Sequence, residues 1–174
     1  VLLIDCDFTK RGVSRYFNLE NIRGISDIVF GNNKVEECIQ KVGYLDVITS
    51  GARPSNTSIL LNSQSMKDTI KKFRQEYDYV FIDSPPVSRM NDACIITQYV
   101  DGTILVNAVG AIDARVAKIT LEKLNKVGSN ILGVVLNKFK PEKNEYYSYY
   151  SYYGYEENKK RKLFGSKRHK KHKK

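Results

Sequence analysis

Short apolar runs rich in β-branched residues recur along the chain at 1–5, 44–49, 79–83, 103–108 and 131–137, and stretches with helical spacing lie between them. That alternation is the signature of βαβ units built around a parallel sheet. The spacing predicts a helix over 66–77, where Met66, Ile70, Phe73 and Tyr77 form one stripe and Ser65 is placed as the N-cap. A second helix is predicted over 112–128, with Ile112, Val116, Ile119, Leu124 and Val127 on one face. Core packing accounts for both stripes. The expected fold is α/β, a doubly wound, mostly parallel sheet with helices on both faces, over residues 1–140.

After Asn137 the pattern stops, and seven of the twelve tyrosines fall between Tyr146 and Tyr155. With no aliphatic residue among them and a Lys/Arg run following, residues 141–174 are expected to form a disordered tail. The net charge of +10 belongs to that tail: residues 159–174 hold ten Lys/Arg and no acid, which leaves 19 bases against 19 acids in the preceding 158 residues. A basic surface spread over the fold would suggest nucleic acid as partner; a neutral body with a basic end does not. The cysteines Cys6, Cys38 and Cys94 are odd in number, far apart and without C-x-x-C spacing, so neither a disulfide framework nor a zinc site is suggested and a reducing cytoplasm fits. No apolar run approaches the roughly 20 residues of a spanning helix, so neither a membrane span nor a secretory leader is expected within these residues. The chain opens Val1-Leu2-Leu3-Ile4-Asp5, inside a predicted strand and without methionine, and reads as a piece of a longer protein.

Chemistry concentrates where strands end. The first strand closes on Asp5-Cys6-Asp7, and Tyr79-Val80-Phe81-Ile82 closes on Asp83-Ser84-Pro85-Pro86. Ligands of open α/β sheets bind beyond the carboxyl ends of the strands, and an apolar strand ending in Asp is the Walker B arrangement for Mg²⁺. Asp also terminates strands and forms turns, which is the bland reading of each carboxylate taken singly.

Taken together these residues resemble the bacterial protein-tyrosine kinases that control capsule and exopolysaccharide synthesis, relatives of the deviant-Walker ATPases of septum placement and plasmid partition. Val1–Arg11 is similar to the family's second Walker element, Gly24-Ile25-Ser26-Asp27 through Gly31 to its next helix, and Thr49-Ser50-Gly51 through Ser63 to its "N-P-S-E-L-L" segment. Asp83-Ser84-Pro85-Pro86-Val87 with Asp92-Ala93 is similar to its Walker B region, and Ile131 through Asn137 to its last core strand. The tyrosine cluster separates the kinases from their ATPase relatives. The resemblance implies ATP and Mg²⁺ as cofactors, with Asp7 holding the metal through water and Asp83 completing the site. It implies that Asp5 orients the attacking tyrosine hydroxyl and accepts its proton, and that Asn137 contacts adenine; because phosphoryl transfer has a loose transition state, an aspartate of unperturbed acidity can serve there. Tyr146, Tyr147, Tyr149, Tyr150, Tyr152, Tyr153 and Tyr155 would be autophosphorylation sites, whereas Tyr16, Tyr77, Tyr79 and Tyr99 sit within apolar patterns. Implied partners are a second copy of the chain, phosphorylated in trans, a membrane-spanning activator, and polysaccharide-synthesis proteins as substrates, at the inner face of the membrane.

The chain departs from the family in three places. Where "D-x-D-x-R-x-P" has arginine and proline this chain has Thr9 and Arg11, and where "N-P-S-E-L-L" has proline and the acid it has Thr57 and Ile59. The glycine-rich loop G-x-x-x-x-G-K-[ST], whose backbone N–H groups cradle phosphates, occurs nowhere in the 174 residues. By the resemblance its strand and loop lie upstream of Val1, and the strand stands between 79–83 and 103–108 in the sheet. The 174 residues alone are therefore expected to be inactive. Two other readings stay open: a deviant-Walker ATPase switch, and a nucleic-acid-binding Tyr/Lys-rich tail on an inert scaffold.

Overall fold

The computed structural model describes residues 1–110 and 113–140; the tail with its tyrosine cluster and basic end lies outside the described residues. The elements run β1 (Leu2–Asp5), α1 (Gly12–Phe17), α2 (Ile25–Val29), α3 (Val35–Cys38), β2 (Ile39–Val42), β3 (Leu45–Ile48), α4 (Thr57–Asn62), α5 (Gln64–Glu76), β4 (Val80–Asp83), α6 (Asp92–Ile96), β5 (Thr103–Ala108), α7 (Ala114–Lys126) and β6 (Ile131–Asn137).

Four strands form one sheet in the order β2-β3-β1-β4, with β1 parallel to both β3 and β4. The remaining strands, β5 and β6, pair in parallel as a second sheet. All five expected strands are present. The sixth, β2, pairs antiparallel to β3 and was missed because Ile39-Gln40-Lys41-Val42 is short and mixed in polarity. A tight hairpin through Gly43, at φ 60°, makes that pairing possible without a crossover.

Helix α5 explains itself from its sequence. Met66, Ile70 and Phe73 are buried and share one stripe, packing with Leu2, Ile4 and Ile48 of the sheet, Ile25 of α2 and Leu60 and Leu61 of α4. Its cap is Ser63, not Ser65: the Ser63 hydroxyl accepts the Met66 N–H at 3.1 Å, while Ser65 donates to the Val29 carbonyl at 2.8 Å. One residue thus starts the helix and the other ties it to α2. Just beyond the helix, the Tyr77 hydroxyl donates to Asp46 at 2.9 Å, fastening the approach to β4 onto β3. Of the stripe expected over 112–128, Ile112 lies outside the described residues, and the remainder is only partly enclosed. Leu124 is fully buried beside Val87, Ala93, Cys94 and Ile131, whereas Ile119 is exposed.

A polar knot joins the start of α2 to the end of β3. Asp27 accepts the Gly24 N–H at 3.0 Å, and Asn21 accepts the Gly51 N–H at 3.0 Å. The Thr49 hydroxyl donates to the Arg23 carbonyl at 3.0 Å. The two backbones approach so closely that a Cβ on Gly24 would collide with Thr49 O and Gly51 N. Because Gly24 has an extended backbone that any residue adopts, space alone demands glycine there. Gly24→Ala is therefore expected to cost about 1–3 kcal/mol through overpacking. Gly12→Ala, where nothing lies within 4 Å, should be neutral or stabilise by up to about 1 kcal/mol. Urea denaturation of both variants checks this, and equal midpoints would contradict the close approach.

Candidate active site

Strands β1 and β4 run parallel with Leu2, Leu3, Ile4 and Asp5 opposite Val80, Phe81, Ile82 and Asp83. The two terminal aspartates are thus register partners at the carboxyl edge of the sheet, and the Cys6 N–H continues the ladder to the Asp83 carbonyl at 2.8 Å. The chain after β1 then wraps around its own carboxylates. Asp5 Oδ1 accepts the Asp7 N–H at 2.9 Å and Oδ2 the Val13 N–H at 3.3 Å. Asp7 Oδ1 accepts the N–H groups of Thr9 and Lys10 at 3.1 and 2.9 Å. Asp5 is completely buried, Asp7 nearly so, and Asp83 is exposed. This loop places Arg11 in the left-handed region, at φ 51°. A proline, fixed near −65°, could not stand there, so the departure at position 11 is a change of backbone as well as of side chain.

Enclosure and neighbouring charge disfavour the ionised forms of Asp5 and Asp83. Burial, opposed by the Asp7 N–H and reinforced by Asp83, pushes the Asp5 carboxyl up to about 6, so the unperturbed acidity expected for it is not what the fold provides. Although the Asp83 side chain keeps an open side, partial loss of solvent against the sheet edge and then the charge of Asp7 raise its carboxyl too. The intervening Cys6 thiol is fully enclosed and held well above its ordinary range, first by burial and then by Asp5, Asp83 and Asp92. It is no nucleophile.

Among the described residues no group of three or more His, Cys, Asp and Glu side chains gathers to hold a metal by itself. The donor set still fits Mg²⁺, which keeps several waters and is commonly held by one or two carboxylates with substrate phosphates. Asp7 and Asp83 are acid-only oxygen donors whose mutual repulsion a divalent cation would relieve.

Asn137 ends β6, in the other sheet, and its side-chain oxygen accepts the Lys138 N–H at 2.7 Å, a turn-forming bond. Of the tyrosines expected to be packed, Tyr77 and Tyr99 are partly enclosed, but Tyr16 and Tyr79 are exposed. Tyr16 stands edge-on to Phe17, and Tyr79 stacks on Phe81. A cleft of about 380 Å³ between α6 and α7, lined by Cys94, Ile95, Gln98 and Lys123 among others, includes none of the carboxylates. Reading the sequence by strand ends did not find the buried contact of Asp92 with Ser58, whose hydroxyl donates to Asp92 Oδ1 at 3.2 Å. Its only signal was an acid placed at the start of a helix.

A family model described as an AAA domain matches residues 1–145. The tyrosine-protein kinase CpsD of Streptococcus pneumoniae serotype 4 is 36% identical over 148 residues, which cover 83% of this chain and 65% of CpsD. The tyrosine-protein kinase YwqD of Bacillus subtilis is 35% identical over 149 residues, covering 84% of this chain and 63% of YwqD. The chain thus spans just under two thirds of the length of either relative. Among solved structures, the VpsO kinase domain superposes with a TM-score of 0.76 at 32% identity, over 80% of this chain and 70% of that one.

Enclosure of Asp5, with the charge of Asp83 beside it, makes stability without metal depend on pH. The folded-state pKa of Asp5 is raised from 3.8 to about 6, so its stabilising contribution is fully present below pH 3.8 and is lost as pH rises through 6. In EDTA, Asp5→Asn should therefore gain stability relative to the parent protein on going from pH 4.5 to 7.5. Thermal melts at the two pH values check the trend, and a difference that does not change with pH would contradict the raised pKa of Asp5.

Proposed function

Because the chain belongs to the AAA-domain family and within it to the bacterial tyrosine-protein kinases, we propose that the full-length protein transfers the γ-phosphoryl group of ATP to tyrosine and thereby regulates capsule or exopolysaccharide synthesis. The observation that carries this reading is the β1–β4 register, which sets Asp5 beside Asp83 at the edge where α/β sheets bind ligands. In this reading residues 1–140 are the nucleotide-binding part and 141–174 the acceptor tail.

Asp7 and Asp83 would hold Mg²⁺, Asp7 through water, and the ion would neutralise charge on the phosphates when bound. Asp5 orients the incoming phenol and takes its proton. The raised affinity of Asp5 for a proton makes it a better base than an ordinary aspartate, although tyrosine near 10 still lies above it. A second reading of Asp5 is favoured by its burial and its two bonds to Asp7 N–H and Val13 N–H: it shapes the 7–13 loop and takes no proton. Asn137 would contact adenine through its amide nitrogen, since its oxygen is committed to Lys138.

The phosphate-binding strand and loop, with no counterpart in the 174 residues, would stand between β4 and β5, each of which is paired on one side only among the described residues. The protein would act as a homo-oligomer phosphorylating in trans, at the inner face of the membrane through a membrane-spanning activator, with polysaccharide-synthesis proteins as further substrates. No helix among the described residues is long and apolar enough to cross a membrane. The seven tyrosines from Tyr146 to Tyr155 would be the acceptors.

In the full-length protein, Asp7→Asn and Asp83→Asn should each abolish phosphotyrosine, while Tyr79→Phe leaves it unchanged; a normal signal from Asp83→Asn would remove the metal reading. Changing all seven tail tyrosines to Phe should remove most of the signal on an anti-phosphotyrosine blot, and an undiminished signal would place the acceptors elsewhere.

Residues 1–174 alone should bind Mg·ATP poorly by isothermal titration and phosphorylate nothing, whereas the chain carrying its phosphate loop does both. Micromolar binding by residues 1–174 would show that the nucleotide sits elsewhere.

A further inference from the structure

Asp92 is an acid only 3% exposed that none of the proposed steps uses. An acid so enclosed needs a partner, and the described one is the Ser58 hydroxyl on α4. Asp92 is the first residue of α6, which packs on α4. The loop between Asp83 and Asp92 leaves the sheet at the metal carboxylate and turns at Pro86, whose carbonyl accepts the N–H groups of Arg89 and Met90 at 3.0 and 3.1 Å. Val87, Ala93 and Cys94 then bury against Leu124. One end of this loop is fixed by the β1–β4 ladder. The other is fixed where Ser58 holds Asp92.

We propose that Ser58 and Asp92 are a positioning pair, whose hydrogen bond sets the aim of the Asp83 carboxylate by fixing the far end of the loop that leaves it. This rests on the kinase reading above and deepens it. Asp92 is not assigned to the metal: it is enclosed and its Oδ1 is engaged by Ser58, whereas Asp83 is open. Its part is to accept a hydrogen bond, and an amide oxygen can do that as well as a carboxylate. Partners bonded directly to a metal ligand commonly change metal affinity or activity by about 10–100-fold when removed; a pair that acts on Asp83 only through the loop has a smaller effect.

The test uses the full-length kinase, with autophosphorylation measured against Mg²⁺ concentration at saturating ATP and the melting temperature recorded beside it. Ser58→Ala and Asp92→Ala should each raise the Mg²⁺ needed for half-maximal rate severalfold, below the roughly tenfold lower bound for a direct partner of a ligand. Asp92→Asn and Ser58→Thr, which keep the bond, should stay close to the parent. An Asp92→Asn protein as impaired as Asp92→Ala would assign the effect to charge and overturn the pair. A lowered melting temperature with unchanged Mg²⁺ dependence in Ser58→Ala would overturn it too, leaving a contact that only holds α4 to α6. Ser58→Ala removes a single hydroxyl, so it decides the matter even if Asp92→Ala does not fold. Asp83→Asn is the reference. If that protein kept its activity the kinase-metal reading would fail, whereas an inactive Asp83→Asn beside an unaffected Ser58→Ala would fail the pair alone.

Discussion

Parallel pairing of β1 with β4 in direct register forces Asp5 and Asp83 side by side, and the site is organised around that enforced proximity of like charges. Two carboxylates at the ends of adjacent strands cannot separate without breaking the ladder. The fold meets the charge with backbone donors instead: the N–H groups of Asp7 and Val13 on Asp5, and those of Thr9 and Lys10 on Asp7. These bonds draw the chain into a tight loop, but those on Asp5 do not offset its enclosure and the charge of Asp83, and the carboxyls of Asp5 and Asp83 are both raised, first by loss of solvent and then by neighbouring charge. A site left under electrostatic tension in this way is suited to a cation it does not itself neutralise.

The tension is sustained by the packing behind it. Leu2 and Ile4 of β1 are wholly buried against Ile25, Leu60, Leu61, Met66 and Phe73, so the strand carrying Asp5 is pinned by apolar contacts from α2, α4 and α5. On its other flank β3 is locked by the α2 knot, where Gly24 and Gly51 admit no side chain. Helix α4, whose Leu60 and Leu61 belong to the same core cluster as Leu2 and Ile4, also supplies Ser58 to Asp92. Core packing and carboxylate aim therefore share one element, and a disturbance of α4 reaches both.

The apolar strands were legible because period and β-branching survive any tertiary context, and α5 was legible because its stripe is buried as the spacing implies. What the sequence withheld were choices between equivalent residues. Ser63 and Ser65 are both competent caps, and only the position of Val29 decides that Ser65 is needed elsewhere. Strand β2 was hidden because its identity comes from pairing with β3, not from its own four residues. At the site, Asp5 and Asp83 were visible as strand terminators, but their direct opposition, the burial of Asp5 and the left-handed backbone at Arg11 depend on register and loop path, which no local pattern encodes. The exposure of Tyr16 and Tyr79, within apolar runs, shows the converse: a run predicts an element more safely than it predicts a covered face.

Strands β4, β5 and β6 carry exposed apolar residues. Parallel strands are ordinarily covered on both faces, and a two-stranded sheet is not stable by itself. Yet Phe81, Ile104, Val106, Val134 and Leu136 are exposed, and they lie on the strands whose edges face the position proposed for the phosphate-binding strand or on its neighbour β6. A strand entering there would pair with both free edges and cover part of that apolar surface. Its loop would bring backbone donors and a lysine to the edge where Asp5, Asp7 and Asp83 crowd. On that proposal one element completes the sheet, covers the core and supplies the positive potential the carboxylates lack. Nucleotide binding and the stability of the second sheet would then be linked, because ligand bound only by the completed fold stabilises every part that the fold requires.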